Sequence, residues 1–252
     1  MGRLRDVLAW ELGDHVRLIV FALSVSGLTL VLTAKVLETR VSAVPSGTGR
    51  FLGPNLLTHA ILSPLGDPSP WTMLALLIPI FAILTFRYER DMGYAQSLYT
   101  LPLSKGRIFL VKTAVVLLLS LLTAYVPILI AIAGTHADIW PALREAMSGG
   151  IFISAMVLTL YFVLYAASVS ILVSLLFRNA FLDFMASFFL LAVPKFIGIN
   201  APPFSFSDAI RKLPVTYFRP YEPLKANFFE GMILPVLLLL AAFVLMDRRD
   251  VL

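Results

Sequence analysis

Few residues in this chain of 252 could carry out covalent chemistry. The three histidines, His15, His59 and His136, are widely separated and none falls in an HExxH arrangement. They suit interfacial or loop hydrogen bonding better than a zinc site. Cysteine is absent, which removes disulfides, thiolate nucleophiles and zinc–thiolate clusters together. Ser154, Ser168, Ser170 and Ser174 lie in a long apolar run. Ala166, Ser170 and Ser174 recur at intervals of four, the spacing at which small side chains let membrane helices approach closely. A polypeptide that burns its own ATP needs a GxxxxGK[ST] phosphate loop, and no stretch fits. One segment does gather charge, glycine and proline at defined intervals: Glu89 to Lys112, reading ERDMGYAQSLYTLPLSKGRIFLVK.

The elements that must carry this segment follow from composition. Apolar residues make up 59% of the chain, charged residues only 14%, and mean hydropathy is +0.89. Soluble domains carry about 25% charged residues, so a water-exposed surface cannot be built here. The reading is an all-α membrane protein with a single transmembrane domain over residues 1–252. Six charge-poor stretches are long enough to cross a bilayer, about 18–36, 71–88, 108–133, 151–177, 180–199 and 231–247. Their continuous apolarity argues for helices and against a barrel of alternating strands. The fifth is the weakest, with Asp183 and Lys195 near its ends and Pro194 interrupting it.

An even number of spans puts both termini on one side. Arg87, Arg90, Lys105, Arg107 and Lys112 crowd a short connection close to the spans, whereas Arg211, Lys212, Arg219 and Lys225 are spread through a long one. Short connections weigh most in the positive-inside rule, so both termini are expected in the cytoplasm and the first span reads as an uncleaved anchor. Two larger loops, about 38–70 and 200–230, then lie outside. The net charge of +5 and pI near 9.6 fit anionic lipid headgroups, and no nucleic-acid partner is expected.

The centres of the six spans lack charge, and an ion-coupled carrier usually places an ionisable residue there. In the charged connection, Tyr94, Leu98 and Leu101 follow i, i+4, i+7 and predict one apolar face of a short helix. Pro102 ends it, and Ser104 can cap the helix that restarts toward the third span. Periodicity alone leaves two readings open: an amphipathic connector touching lipid phosphates, or a docking rod.

The residue pattern resembles the type-2 ATP-binding-cassette permease family. In that family the connection between spans two and three runs through acidic–basic pairs, glycine, a Leu-rich turn, proline, a small residue, a basic residue and lysine. Glu89, Arg90, Gly93, Leu98, Pro102, Ser104, Lys105 and Lys112 stand at that spacing, with Tyr99 and Val111 as departures. The stretch Ala9 to Arg17 is similar to the family's interfacial helix, and the turn from Ser174 to Asp183, with Arg178, to its fourth-to-fifth connection. The resemblance implies that residues 89–105 form a coupling helix pressed against a separate ATPase subunit, with Glu89, Arg90, Gly93, Leu98, Pro102 and Lys105 as coupling residues. ATP and Mg would bind that partner and not this chain. It also implies a second permease copy, or a related permease subunit, and export across the plasma membrane. Phe81, Phe86, Phe188 and Phe189 are candidate cavity-lining residues on spans two and five.

Residues 1–17 predict an interfacial helix whose apolar arc is Leu4, Val7, Leu8, Leu12 and Val16. Glu11 and His15 fall on the same side, which a helix lying in lipid should not carry. Glu11 is therefore expected to face the coupling region or the ATPase, whereas Lys112 is expected to snorkel toward headgroups. Two other functions stay open at this point: an ATPase-coupled membrane scaffold acting on an external partner protein, and an ion-coupled secondary transporter.

Overall fold

A computed structural model describes residues 2–43, 58, 61–87, 104–137, 140–213 and 219–248. The described residues are helical, with no strand among them. In chain order the helices are α1 (Gly2–Leu12), α2 (His15–Ala43), α3 (Pro68–Phe86), α4 (Lys105–Thr135), α5 (Trp140–Ser148), α6 (Gly150–Leu176), α7 (Ala180–Phe196), α8 (Phe204–Lys212), α9 (Glu222–Ala226) and α10 (Leu234–Arg248). A 3₁₀ turn, Ser63–Gly66, precedes α3, and a π turn, Phe229–Ile233, leads into α10.

Five of these are long and apolar enough to cross a membrane: α2 over His15–Glu38, α3, α4, α6, and the last helix over Phe229–Met246. The expected fifth crossing at 180–199 is the shorter α7, which stops at Phe196 just after Pro194. Pro79 and Pro127 sit inside α3 and α4 without ending them, as membrane helices allow when neighbours supply partners for the freed backbone groups.

Helix α6 is the hub. It packs against α3, α4, α7, α8 and α10. Within its most apolar window 67% of residues are buried, against 22% for α2 and for the last helix, which therefore form the rim. Lipid tails are as apolar as leucine, so close van der Waals fit has to hold such helices together. The four-residue stripe does this: Ala166, Ser170 and Ser174 are all buried. Their hydroxyls stay with their own helix, Ser170 Oγ donating to the Ala166 carbonyl at 2.7 Å and Ser174 Oγ to that of Ile171 at 3.0 Å. A bond from the Tyr125 hydroxyl to the Met156 carbonyl, 2.7 Å, ties α4 to α6.

One end of the bundle is closed by aromatic side chains. Trp71 donates its indole N–H to the Leu65 carbonyl at 2.6 Å and packs on Phe162 with ring centroids 4.9 Å apart. Phe204 and Phe206 of α8 meet Phe162 and Tyr161 edge-on at 5.8 and 5.9 Å. These two loop aromatics are thus core residues. Tyr217 and Phe218 lie outside the described residues, and Tyr221 is half exposed. At the same end Asp67 caps α3, accepting the Ser69 N–H at 2.8 Å and the Ser69 hydroxyl. Burial pushes the Asp67 carboxyl up, but the Ser69 bonds and the Lys35 charge outweigh it and hold the group below its ordinary value.

Gly231 sits in the π turn against Tyr161, and a Cβ there would collide with the ring carbon Cγ. Pro235 follows four residues later and has no N–H to offer the Gly231 carbonyl, which loosens the helical register at this point.

Two outcomes are expected in thermal unfolding of the detergent-solubilised protein. Gly231→Ala destabilises by about 1–3 kcal/mol through overpacking, and Tyr161→Ala in the same background recovers part of the loss. The cap of Asp67, whose folded pKa is depressed, contributes above the unfolded value of about 3.9 and fades as pH falls through the folded one. The stability difference between wild type and Asp67→Ala, about 1 kcal/mol at neutral pH, therefore shrinks in acid.

Candidate functional site

Helix α3 ends at its C-cap Arg87, and α4 begins after its N-cap Ser104. Glu89, Arg90, Gly93, Leu98 and Pro102 lie outside the described residues. Lys105, the first residue of α4, is half-buried. The structure defines the end of the bundle formed by Arg87 and the start of α4.

That end is built around a buried carboxylate. Helix α1 stops at Leu12, Gly13 donates its N–H back to the Ala9 carbonyl at 2.9 Å, and the Asp14 carboxylate accepts the Val16 N–H at 2.9 Å, starting α2. This tight Gly–Asp corner, one turn short of Arg17, folds the guanidinium back over the end of α1. There Arg17 donates to the Glu11 backbone carbonyl at 2.9 Å and pairs with the Glu11 carboxylate. Its Nε lies 3.5 Å from Asp14 Oδ2.

Lys112 reaches the same carboxylate from α4, Nζ to Glu11 Oε1 at 3.0 Å. The same ammonium donates to the Thr85 carbonyl at 2.7 Å, in the last turn of α3. Carbonyls in the last turn of a helix lack intrahelical donors and carry its negative dipole end, so a cation there satisfies both. Glu11 has 0% exposure, Arg17 2% and Lys112 5%. Lys112 thus turns inward to a carboxylate and a helix end rather than snorkelling outward. Glu11 meets Arg17 and Lys112 and is closed to any partner protein that docks on the surface.

Two further groups border the same end. Arg87, the C-cap of α3, is buried, and its charge acts on Asp183 in the first turn of α7. Asp183 is fully buried, with Ser187 Oγ donating to Oδ1 at 3.3 Å. Beside them runs an aromatic chain from Phe86 to Phe109 at 5.8 Å and on to Phe243 of α10 at 5.6 Å. The start of α4 sits close on α10, where a Cβ on Gly106 would lie 3.0 Å from the Phe243 ring.

The candidate cavity residues separate. Phe81 is fully enclosed among the helices, and Phe86 belongs to the aromatic chain just described. Phe188 is half-buried between Phe184 and Phe189, and Phe189 is 56% exposed on the outside of α7. An open cavity of about 270 Å³ lies elsewhere, at the opposite end, between Tyr161, Leu224, Lys225 and Phe228.

A family model described as "ABC-2 family transporter protein" matches residues 19–194. No curated protein and no solved structure matches the chain.

Removing one member of a buried ion pair leaves its partner charged and uncompensated, at a cost of about 3–5 kcal/mol. Glu11→Gln and Lys112→Met should each lose stability on this scale in detergent. The double variant should lose less than the sum, because it strands no charge between the two positions. Lys35→Gln breaks the exposed pair with Glu38 (3.1 Å) and should cost under about 1 kcal/mol. Equal losses at Glu11 and Lys35 would contradict this account.

Proposed function

This chain belongs to the ABC-2 transporter family, a multi-pass membrane protein, and from that premise we propose that it is the membrane-spanning permease subunit of an ATP-driven exporter. Residues 89–105 couple it to a separate ATPase subunit, which binds ATP and Mg. Two copies, or one copy and a related permease, enclose the transport path. The assembly sits in the plasma membrane with both termini and the coupling segment in the cytoplasm.

The observation that carries this reading is the union of α3 and α4 at the end from which the coupling segment departs. Lys112 joins the outgoing end of one helix to the incoming end of the other. A displacement applied between Arg87 and Ser104 is thereby delivered to two membrane helices at once. A loose connector would absorb the same displacement in its own backbone.

Six crossings, with α7 as the fifth, fit the same reading. Seventeen helical residues span about 26 Å, at the short limit for a bilayer core of about 30 Å. The first turn of α7 lies by Arg87, at the end of α3. Its last turn reaches the opposite end of the bundle, where Lys195 pairs with Asp208 of α8 at 3.0 Å. Helix α8 in turn packs on the 3₁₀ turn that precedes α3. These contacts support α7 as a crossing antiparallel to α3, and with it an even number of spans.

Co-expression with its ABC ATPase subunit should yield a stable complex whose hydrolysis rate differs from that of the ATPase alone. Leu98→Asp places a charge on the apolar face of the coupling segment. It should lower complex formation or ATPase stimulation about tenfold while membrane insertion stays intact. Gradient-driven flux without any ATPase would overturn the reading in favour of an ion-coupled carrier. Nucleotide-dependent capture of an external protein, with no cargo stimulating hydrolysis, would favour a scaffold.

A further inference from the structure

Resting on the permease reading, the buried ion cluster can be assigned a task that neither the family match nor the coupling motif assigns. The cluster includes four elements that are remote in sequence or separated by a turn. Glu11 comes from the last turn of α1 and Arg17 from the first turns of α2. The Thr85 carbonyl belongs to the last turn of α3, and Lys112 lies two turns into α4. Lys112 bridges α1 and α3: it donates to the Thr85 carbonyl at 2.7 Å and pairs with Glu11 Oε1 at 3.0 Å.

An ammonium on a four-carbon stem is a poor clamp by itself, because several rotamers bring it near a carbonyl. Glu11 selects one of them. Its carboxylate is fixed by Arg17, which is itself anchored on the Glu11 carbonyl and beside Asp14. Full burial removes the water that would otherwise compete for the ammonium and the carboxylate.

We propose that Glu11 is a positioning residue for energy coupling: through Lys112 it holds the N-terminal helix, the end of α3 and the start of α4 as one body, so that motion imposed on the connection between α3 and α4 moves all three. Helix α1 thereby acts as an outrigger. Packed against α4, it resists tilting of the α3–α4 corner alone and passes the displacement to α2, which it joins through the Gly13–Asp14 corner.

A purely structural role and a positioning role predict different behaviour of the double variant. If the ion pair only stabilises, Glu11→Gln/Lys112→Met restores both stability and function relative to the single variants. If it positions, the double variant regains stability but still lacks the donor on the Thr85 carbonyl, so coupling stays lost.

The chain has no cysteine, so paramagnetic labels can be attached at Trp10→Cys on α1 and Arg107→Cys on α4, both exposed. In the permease alone, in nanodiscs, the label-to-label distance distribution should be narrow with Glu11 present. It should broaden in Glu11→Gln and in the double variant, and Glu11→Asp should restore it in part. In the complex with its ATPase, the double variant should assemble yet lose about tenfold of the permease-dependent change in hydrolysis, whereas Lys35→Gln should keep it. A distribution in the double variant as narrow as in wild type, or wild-type ATPase stimulation in the double variant, overturns the inference. Failure of the wild-type permease to bind any ATPase would instead remove the transporter reading, and the distance measurement on the permease alone would still decide the role of Glu11.

Discussion

A charge that cannot reach water has to meet its counter-charge inside the protein, and at one end of this bundle that requirement falls on Glu11. An isolated carboxylate at such a site would cost several kcal/mol, so the surroundings are organised to avoid it. Arg17 folds back across a Gly–Asp corner to meet the carboxylate, and Lys112 turns inward from α4. Because Lys112 also holds the last turn of α3, the joint between the end of α3 and the start of α4 is tied to this one group. Among the described residues, Glu11 and the partly exposed Asp14 face Arg17 and Lys112, two charges of each sign. That balance is why a cluster rather than a single pair is found.

The rest of the bundle obeys a different rule. Lipid offers no hydrophobic drive for one helix to leave it for another, so cohesion comes from the small-residue stripe of α6 and from aromatic contacts. The two ends are closed by unlike means: charge and the Phe86–Phe109–Phe243 chain at one, and Trp71, Phe162, Phe204 and Phe206 at the other. Helix α7 ties to both, through Asp183 at the first and Lys195 at the second.

Much of this was legible in the sequence where the signal is local. Apolar runs marked the long helices, and the spacing of Ala166, Ser170 and Ser174 marked the packing face. Glu11 stood out because it interrupts an apolar arc. Its partner was not legible, since Lys112 lies far along the chain and looks, by position alone, like any lysine near a membrane surface. The same holds for Phe204 and Phe206: they open α8, in a stretch that reads as a polar, proline-rich loop, and turn inward to meet Phe162 and Tyr161. Composition could not show the π turn at Phe229–Ile233, whose cause is the meeting of Gly231 with Tyr161 and the missing N–H of Pro235. Helix α7 fell short of the other spans because Pro194 and Gly198 end it early, although its packing carries it from one end of α3 to the other.

The self-contained bonding of four α6 hydroxyls has a mechanical side. Thr159, Ser168, Ser170 and Ser174 all bond to carbonyls of their own helix. Those hydroxyl bonds therefore do not have to break when a neighbour shifts along that face. Sliding there exchanges one set of dispersion contacts for another of similar depth, with the Tyr125–Met156 bond as a stop. The serine–threonine face of the hub thus has the character of a bearing, free of hydroxyl bonds to its neighbours at these four positions and checked by the Tyr125–Met156 bond.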